Sequence, residues 1–233
     1  DLGLGTLTNK LLEKAGRVVC IELDKRMINI LKDRFALYKN FEILNADVLK
    51  VDLQSLISKE LVEFNLKQAK IVANLPYYIT TPIIMKLLED RLNLRNITVM
   101  VQKEVAIRLT EIPGFKETGA ITYSIYYYST PKLVLSVPKT SFIPIPEVDS
   151  AVIKLDLLEK PRVRVLNEKL FFNIIKISFM KKRKTLVNAL ESGKALQDKQ
   201  NIIKMLENLG IDTKIRGEKL SIEEYAKIAD YIE

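Results

Sequence analysis

The tetrapeptide Asn74-Leu75-Pro76-Tyr77 combines residue types able to grip a flat nitrogenous base. It follows the apolar run Lys70-Ile71-Val72-Ala73, which reads as a short buried strand, so the Asn74 amide is expected at a strand's carboxyl end. Ligands of open α/β sheets bind at that edge. A side-chain amide offers an acceptor oxygen and two donor hydrogens but moves no protons near neutral pH. Pro76 fixes the neighbouring backbone, and Tyr77 adds an aromatic face on which a planar ligand can stack. The set suits recognition of an exocyclic amino group. A strand running into an ordinary turn would also use Asn and Pro, and the tetrapeptide alone does not separate the two.

Other polar positions fall at similar places. Gly3-Leu4-Gly5 opens a helical pattern and would let the backbone approach a ligand closely. Glu22, followed by Leu23, closes the apolar run Val18–Ile21, where a carboxylate can accept from ribose hydroxyls. Asp47, in Leu44-Asn45-Ala46-Asp47-Val48, ends a third run and could accept from an adenine amino group. Glycine turns are common, so the ordered set carries more than any member. It fits a nicotinamide dinucleotide or S-adenosylmethionine, since both contain an adenosine. The plainer alternative is that Glu22 and Asp47 only cap loops.

The elements that must position these residues follow from periodicity. Strands are expected at Arg17–Ile21, Phe41–Leu44, Lys70–Ala73 and Ile97–Val101, with helices at Leu7–Lys14, Lys25–Phe35, Pro82–Arg91 and Lys103–Leu109. Alternation of this kind implies a parallel, doubly wound α/β sheet. Ile121–Tyr128, rich in β-branched and aromatic residues, reads as a strand. With Leu133–Val137, after a Thr130-Pro131 turn, and Ala151–Leu155, it would add an antiparallel edge. Beyond about Pro161 the pattern is helical, with one helix running from Phe171 through Lys181–Lys184 to Leu190 and a last one opened by the capping box Ser221-Ile222-Glu223-Glu224. The expected division is a sheet domain over 1–158 and a small all-helical domain over 159–233. The strand that should precede Gly3 is missing, so the chain is expected to lack its natural N-terminus.

Composition narrows the chemistry. The 233 residues hold no histidine and one cysteine, which removes Ser-His-Asp and Cys-His catalysis and most zinc sites, so no metal is expected. Cys20 lies in an apolar run, where burial disfavours a thiolate. It can form no internal disulfide, in keeping with a reducing, cytoplasmic setting. No apolar run is long enough to span a bilayer. A net charge of +8 points to a polyanionic partner, and Lys181-Lys182-Arg183-Lys184 is its densest run. Lys103, Arg108 and Lys139 are further phosphate candidates.

The residues carry a family resemblance. Gly3-Leu4-Gly5-Thr6-Leu7-Thr8, Ile21-Glu22-Leu23-Asp24, Asn45-Ala46-Asp47, Asn74-Leu75-Pro76-Tyr77 and Gln102-Lys103-Glu104-Val105 stand in the order found in KsgA-type ribosomal RNA adenine dimethyltransferases. The run Val137-Pro138 to Ser141-Phe142, Pro144, Pro146 and Val148-Asp149-Ser150-Ala151-Val152 resembles the same family, as do Arg183-Lys184-Thr185 and Leu220-Ser221. The erythromycin-resistance methyltransferases are similar but match less well after residue 135. The family's first motif typically reads Glu-x-Gly-Pro-Gly, and here Asp1-Leu2 stands where part of it belongs.

The resemblance implies a Rossmann-like S-adenosylmethionine-dependent methyltransferase sheet with a small C-terminal all-helical domain. It implies transfer of methyl groups to N6 of two adjacent adenines near the 3′ end of small-subunit rRNA. Asn74 and the Leu75 carbonyl would then accept the two amino hydrogens, with Tyr77 and Phe142 on opposite faces of the base and Pro76 fixing the turn. Gly3, Leu4, Gly5, Glu22, Leu23, Asp47, Val48 and Asn74 would line the cofactor. The partners implied are the small ribosomal subunit and its rRNA, with the protein a monomer. A nicotinamide oxidoreductase fits the first strand ends but not Asn-Leu-Pro-Tyr. A non-catalytic ribosome-assembly factor would use the same basic surface.

Overall fold

Apolar runs and amphipathic stretches alternate along the first half of the chain, and they fold as alternating strands and helices. The computed structural model describes residues 5–115, 117–181, 183–193 and 198–233. Helix α1 (Thr6–Leu12) leads to β1 (Val18–Glu22), α2 (Lys25–Arg34), β2 (Phe41–Asn45), α3 (Leu53–Glu63), β3 (Ala69–Asn74), α4 (Thr80–Glu89) and β4 (Leu94–Gln102). Strands β1 and β2 pair in parallel with Glu22 opposite Asn45, and β3 and β4 do so with Asn74 opposite Met100. A parallel pair needs a crossover, and helices α2 and α4 supply it. The chain continues through α5 (Lys103–Thr110), α6 (Ala120–Tyr128), β5 (Ser129–Val137), β6 (Ser150–Leu157), α7 (Glu168–Met180), α8 (Leu186–Ser192), α9 (Lys199–Asn208) and α10 (Ile222–Ile232). The second sheet has the strand order β3-β4-β6-β5.

The chain divides into two compact units. One takes the residues up to Gln102 together with Val137–Lys154; the other takes Lys103–Ser136 and Leu155–Glu233. In the first, Leu12, Leu31 and Phe35 form a buried cluster against Val18, Cys20, Phe41 and Ile43, which seats α1 and α2 on the β1-β2 pair. At the amino end of these strands Arg17 pairs with Glu42 and, at 2.6 Å, with Glu60, its guanidinium 4.2 Å from the Phe64 ring centroid. In the second unit Tyr123, Tyr127, Phe171, Ile174, Leu190, Leu206 and Tyr225 are buried in one core. Tyr123 donates to Leu220 O at 2.6 Å and Tyr225 to Gly217 O at 3.1 Å, so both hydroxyls are satisfied where they are buried. The expected capping box forms, with Ser221 Oγ accepting from Glu224 N and Glu224 Oε2 from Ser221 N.

The structure corrects four local expectations. Ile121–Tyr128 is helix α6, with Thr122, Tyr123, Ser124, Ile125 and Tyr127 buried. Burial around most of its circumference explains why its composition imitates a strand. Gly119 N donates to Thr122 Oγ1 at 2.9 Å and closes its start. Thr130-Pro131 lies within β5 and is not a turn; the proline is tolerated because β5 ends the strand order. Helix α7 stops at Met180 instead of running to Leu190, with Lys184 N returning to Lys181 O at 2.8 Å and Thr185 capping α8. Helix α3 was not expected; Asp52 caps it, accepting from Ser55 N at 3.0 Å.

Candidate active site

Asn74 is the last residue of β3, where the sequence pattern placed it. Its half-buried amide makes no hydrogen bond among the described residues. Leu75 behind it is buried at 8% exposure. Pro76 is extended at φ −59° and ψ 136°, and its carbonyl accepts from Ile79 N at 3.2 Å and from the buried Thr80 Oγ1 at 3.1 Å. These bonds hold the turn after the strand in one shape. The Tyr77 ring is 40% exposed while its hydroxyl lies 2.9 Å from the Oγ of Ser150, which is fully buried. The ring is thus tethered at its far end and open on part of its surface. Sequence alone does not point to Ser150 or Thr80: no local pattern links Ser150 to Tyr77, 73 residues away.

At the ends of β1 and β2 the acidic residues are fixed by their own loops. Glu22 Oε1 accepts from Leu23 N at 2.8 Å and from Asp24 N at 2.9 Å, leaving Oε2 without a partner among the described residues. Asp47 Oδ1 accepts from Leu49 N at 3.0 Å. Asn45 joins the two ends: its Nδ2 donates to Glu22 O at 3.1 Å and Leu23 O at 3.2 Å, and Ala46 N donates to Glu22 O at 3.1 Å. Asn45 stands in the Asn45-Ala46-Asp47 motif, and its bracing role appears only with the β1-β2 register. Leu23 is exposed and Val48 half-buried. The neighbouring Asp24 carboxyl is held below its usual pKa by the Arg26 guanidinium that bonds it. Cys20 is pushed the other way by burial, which keeps it a thiol.

Gly5 caps α1 at φ +67°, in the left-handed region. A Cβ there would lie 2.7 Å from Phe35 Cε2 and 2.8 Å from Leu31 Cδ2. Its glycine is therefore demanded by the turn and by packing against α2. Gly3 and Leu4 lie outside the described residues.

Phe142 is half-buried in the loop between β5 and β6 and makes no ring contact with Tyr77 among the described residues. Lys139 stands exposed at the start of that loop, its Nζ 3.5 Å from Glu147 O. In the second unit Lys103 begins α5, and Arg108 pairs with Glu104 at 3.0 Å. Lys181, Arg183 and Lys184 are exposed on the turn between α7 and α8. Lys182 lies outside the described residues.

Parallel strand pairs covered by helices, with Glu22 and Asn74 at the ends of β1 and β3 and Asp47 just past β2, have the layout of a Rossmann-like methyltransferase. Solved structures agree. A dimethyladenosine transferase from Plasmodium falciparum matches with a TM-score of 0.79 and 27% identity over 97% of this chain and 85% of that one. The 23S rRNA methyltransferase ErmE shares the fold, with a TM-score of 0.71 and 20% identity over 98% of this chain and 87% of its own.

The model of the ribosomal RNA adenine dimethylase family matches residues 2–233, and the chain belongs to that family. The Ribosomal RNA small subunit methyltransferase A proteins of Clostridium acetobutylicum and Alkaliphilus oremlandii are similar to it. The first is 48% identical over 99% of this chain and 80% of its own length; the second is 46% identical over 98% and 78%.

Proposed function

We infer that this enzyme transfers methyl groups from S-adenosylmethionine to N6 of two adjacent adenines near the 3′ end of small-subunit rRNA. Family membership and relatives named for the small ribosomal subunit support the reading. The observation that carries it is the Asn74 amide, half-buried and unpartnered among the described residues, beside the tethered Tyr77 ring. The cofactor supplies an electrophilic methyl group when bound. The oxygen-rich strand ends suit its adenosine half. Glu22, with Oε1 already committed to its loop, offers Oε2 to a ribose hydroxyl, and Asp47 offers an acceptor to the adenine amine. Leu23, Val48, Gly5 and the adjoining Gly3 and Leu4 are proposed to complete that wall.

The target nitrogen is a poor nucleophile because its lone pair is delocalised into the ring. The Asn74 side-chain oxygen and the Leu75 carbonyl accept hydrogen bonds from its two N–H groups, which favours a tetrahedral nitrogen whose lone pair is localised and free to attack. Tyr77 and Phe142 hold the extruded base by its faces, and Pro76 keeps the turn from yielding. No residue needs to act as a strong base, because the surplus proton leaves the acidified, methylated nitrogen for water after transfer, in keeping with a chain that has no histidine. Positioning and electrostatic complementarity carry the rate. Lys181, Lys182, Arg183 and Lys184, within a helical region from 159 to 233, supply phosphate contacts, and Lys103, Arg108 and Lys139 are separate phosphate candidates. The protein is taken to act as a cytoplasmic monomer; among the described residues no helix is long and apolar enough to cross a membrane.

Asn74→Ala tests the assignment on unmethylated small subunits. Methyl incorporation should fall at least about a hundredfold while calorimetric binding of S-adenosylmethionine changes little. Near wild-type turnover would refute the role of Asn74. Subunit binding by the wild type with no methyl transfer would favour a purely assembly function.

A further inference from the structure

Exposed apolar side chains gather in one loop of the first unit. Between Lys139 and Asp149, Ile143 is 97% exposed, Ile145 63% and Val148 43%. Single exposed apolar residues are ordinary, but several within one loop make a patch of the kind that marks a binding surface. The loop is braced. Asp149 Oδ1 accepts from Lys139 N at 3.0 Å and closes its base, while Ser141 N and Phe142 N return to Pro138 O and Lys139 O. Pro144 and Pro146 each fix a backbone angle on either side of Ile145. The residue after Asp149 is Ser150, whose hydroxyl tethers Tyr77. The apolar tip and the aromatic ring therefore share one frame, and an exposed lysine stands at the loop's root.

We propose that Ile143 and Ile145 form a wedge that enters the RNA base stack beside the extruded target adenine. The proposal rests on the rRNA-methylation reading above. An adenine must leave its stack to reach Asn74, and its departure strips contacts from the bases on either side. An isoleucine inserted there restores dispersion contact without imposing a hydrogen-bond pattern, as apolar side chains do at kinked base steps. The positive charge of the chain and of Lys139 favours a polyanion over an apolar protein surface as occupant.

The test compares unmethylated small subunits reconstituted with two versions of their rRNA. One is intact, and the other has an abasic nucleotide next to the target adenine, so the stack is already broken. The variant Ile143→Ser/Ile145→Ser changes exposed side chains only, and its fold is checked by thermal unfolding. It should methylate the intact RNA about tenfold more slowly than wild type and the abasic RNA at nearly the wild-type rate. Ile143→Leu/Ile145→Leu should restore turnover on the intact RNA. Equal slowing on both RNAs, or none on either, would overturn the wedge. A wild-type protein inactive on both RNAs would instead overturn the methylation reading, and the wedge with it.

Discussion

Replacing Ser150 by alanine isolates the tether that holds Tyr77. The bond spans 2.9 Å between a fully buried hydroxyl and a ring that is 40% exposed. A neutral hydrogen bond contributes about 0.5–1.5 kcal/mol net. In Ser150→Ala the freed Tyr77 hydroxyl can turn to water, so little stability is lost and the effect falls on ring placement. If all of that energy serves alignment, kcat/KM drops about two- to twelvefold. Tyr77→Ala removes the stacking face itself, about 1–3 kcal/mol, for a loss of about 5- to 150-fold. Tyr77→Phe keeps the face but leaves Ser150 Oγ buried without a partner, which costs about 1–3 kcal/mol of stability. The double variant Tyr77→Phe/Ser150→Ala removes both ends and should recover part of that stability, with turnover close to that of Ser150→Ala. Initial rates on unmethylated small subunits and urea unfolding complete the cycle, with S-adenosylmethionine affinity as the readout that should not move. Additive losses in the double variant, in rate and in stability, would refute the tether.

Three other outcomes follow from the geometry. Gly5→Ala combines a left-handed backbone cost of about 1–2 kcal/mol with overpacking of about 1–3 kcal/mol against Phe35 and Leu31, so urea unfolding should register a loss of about 2–5 kcal/mol. A loss below about 1 kcal/mol would count against the packing argument. Lys181→Ala/Arg183→Ala/Lys184→Ala should weaken RNA binding and flatten its dependence on salt, by about one unit of slope for each phosphate contact removed; an unchanged slope would place the RNA elsewhere. Burial raises the hydroxyl pKa of Tyr123 and Tyr225, whereas the unfolded side chains ionise near pH ~10. Their contribution to stability is therefore complete below that pH and is lost as pH rises above it, by about 1.4 kcal/mol per pH unit for each tyrosine. Denaturant titrations across that range should be shallower for Tyr225→Phe, and identical slopes would contradict the assignment.

The strand-end positions of the candidate site were legible because each candidate sits at or just past the end of an apolar run, and such runs fold as strands whenever the intervening segments can cover them. Glu22, Asp47 and Asn74 were found that way. Ile121–Tyr128 was misread because a helix buried on most sides loses the polar stripe that reveals a 3.6-residue period, leaving β-branched and aromatic composition as the local signal. The turn at Lys181–Lys184 was hidden inside a pattern that stayed helical on both sides, although Thr185 before Leu186 was a usable cap. Ser150 and Asn45 were out of reach for a different reason. Their roles depend on partners brought near by strand register and chain return, and neither separation has a period.

Asn45 has a consequence of its own. One amide nitrogen donates to two carbonyls, Glu22 O and Leu23 O, and so keeps the ends of β1 and β2 aligned. Asparagine is among the thermolabile residues. Hydrolysis of this amide would exchange a donor for an anion facing two carbonyl oxygens, while α2, α3 and the buried cluster behind them stay untouched. Chemical ageing at a single side chain would then loosen the carboxyl ends of β1 and β2 first, and a worn molecule would lose the alignment of Glu22 with its neighbouring strand while still folded.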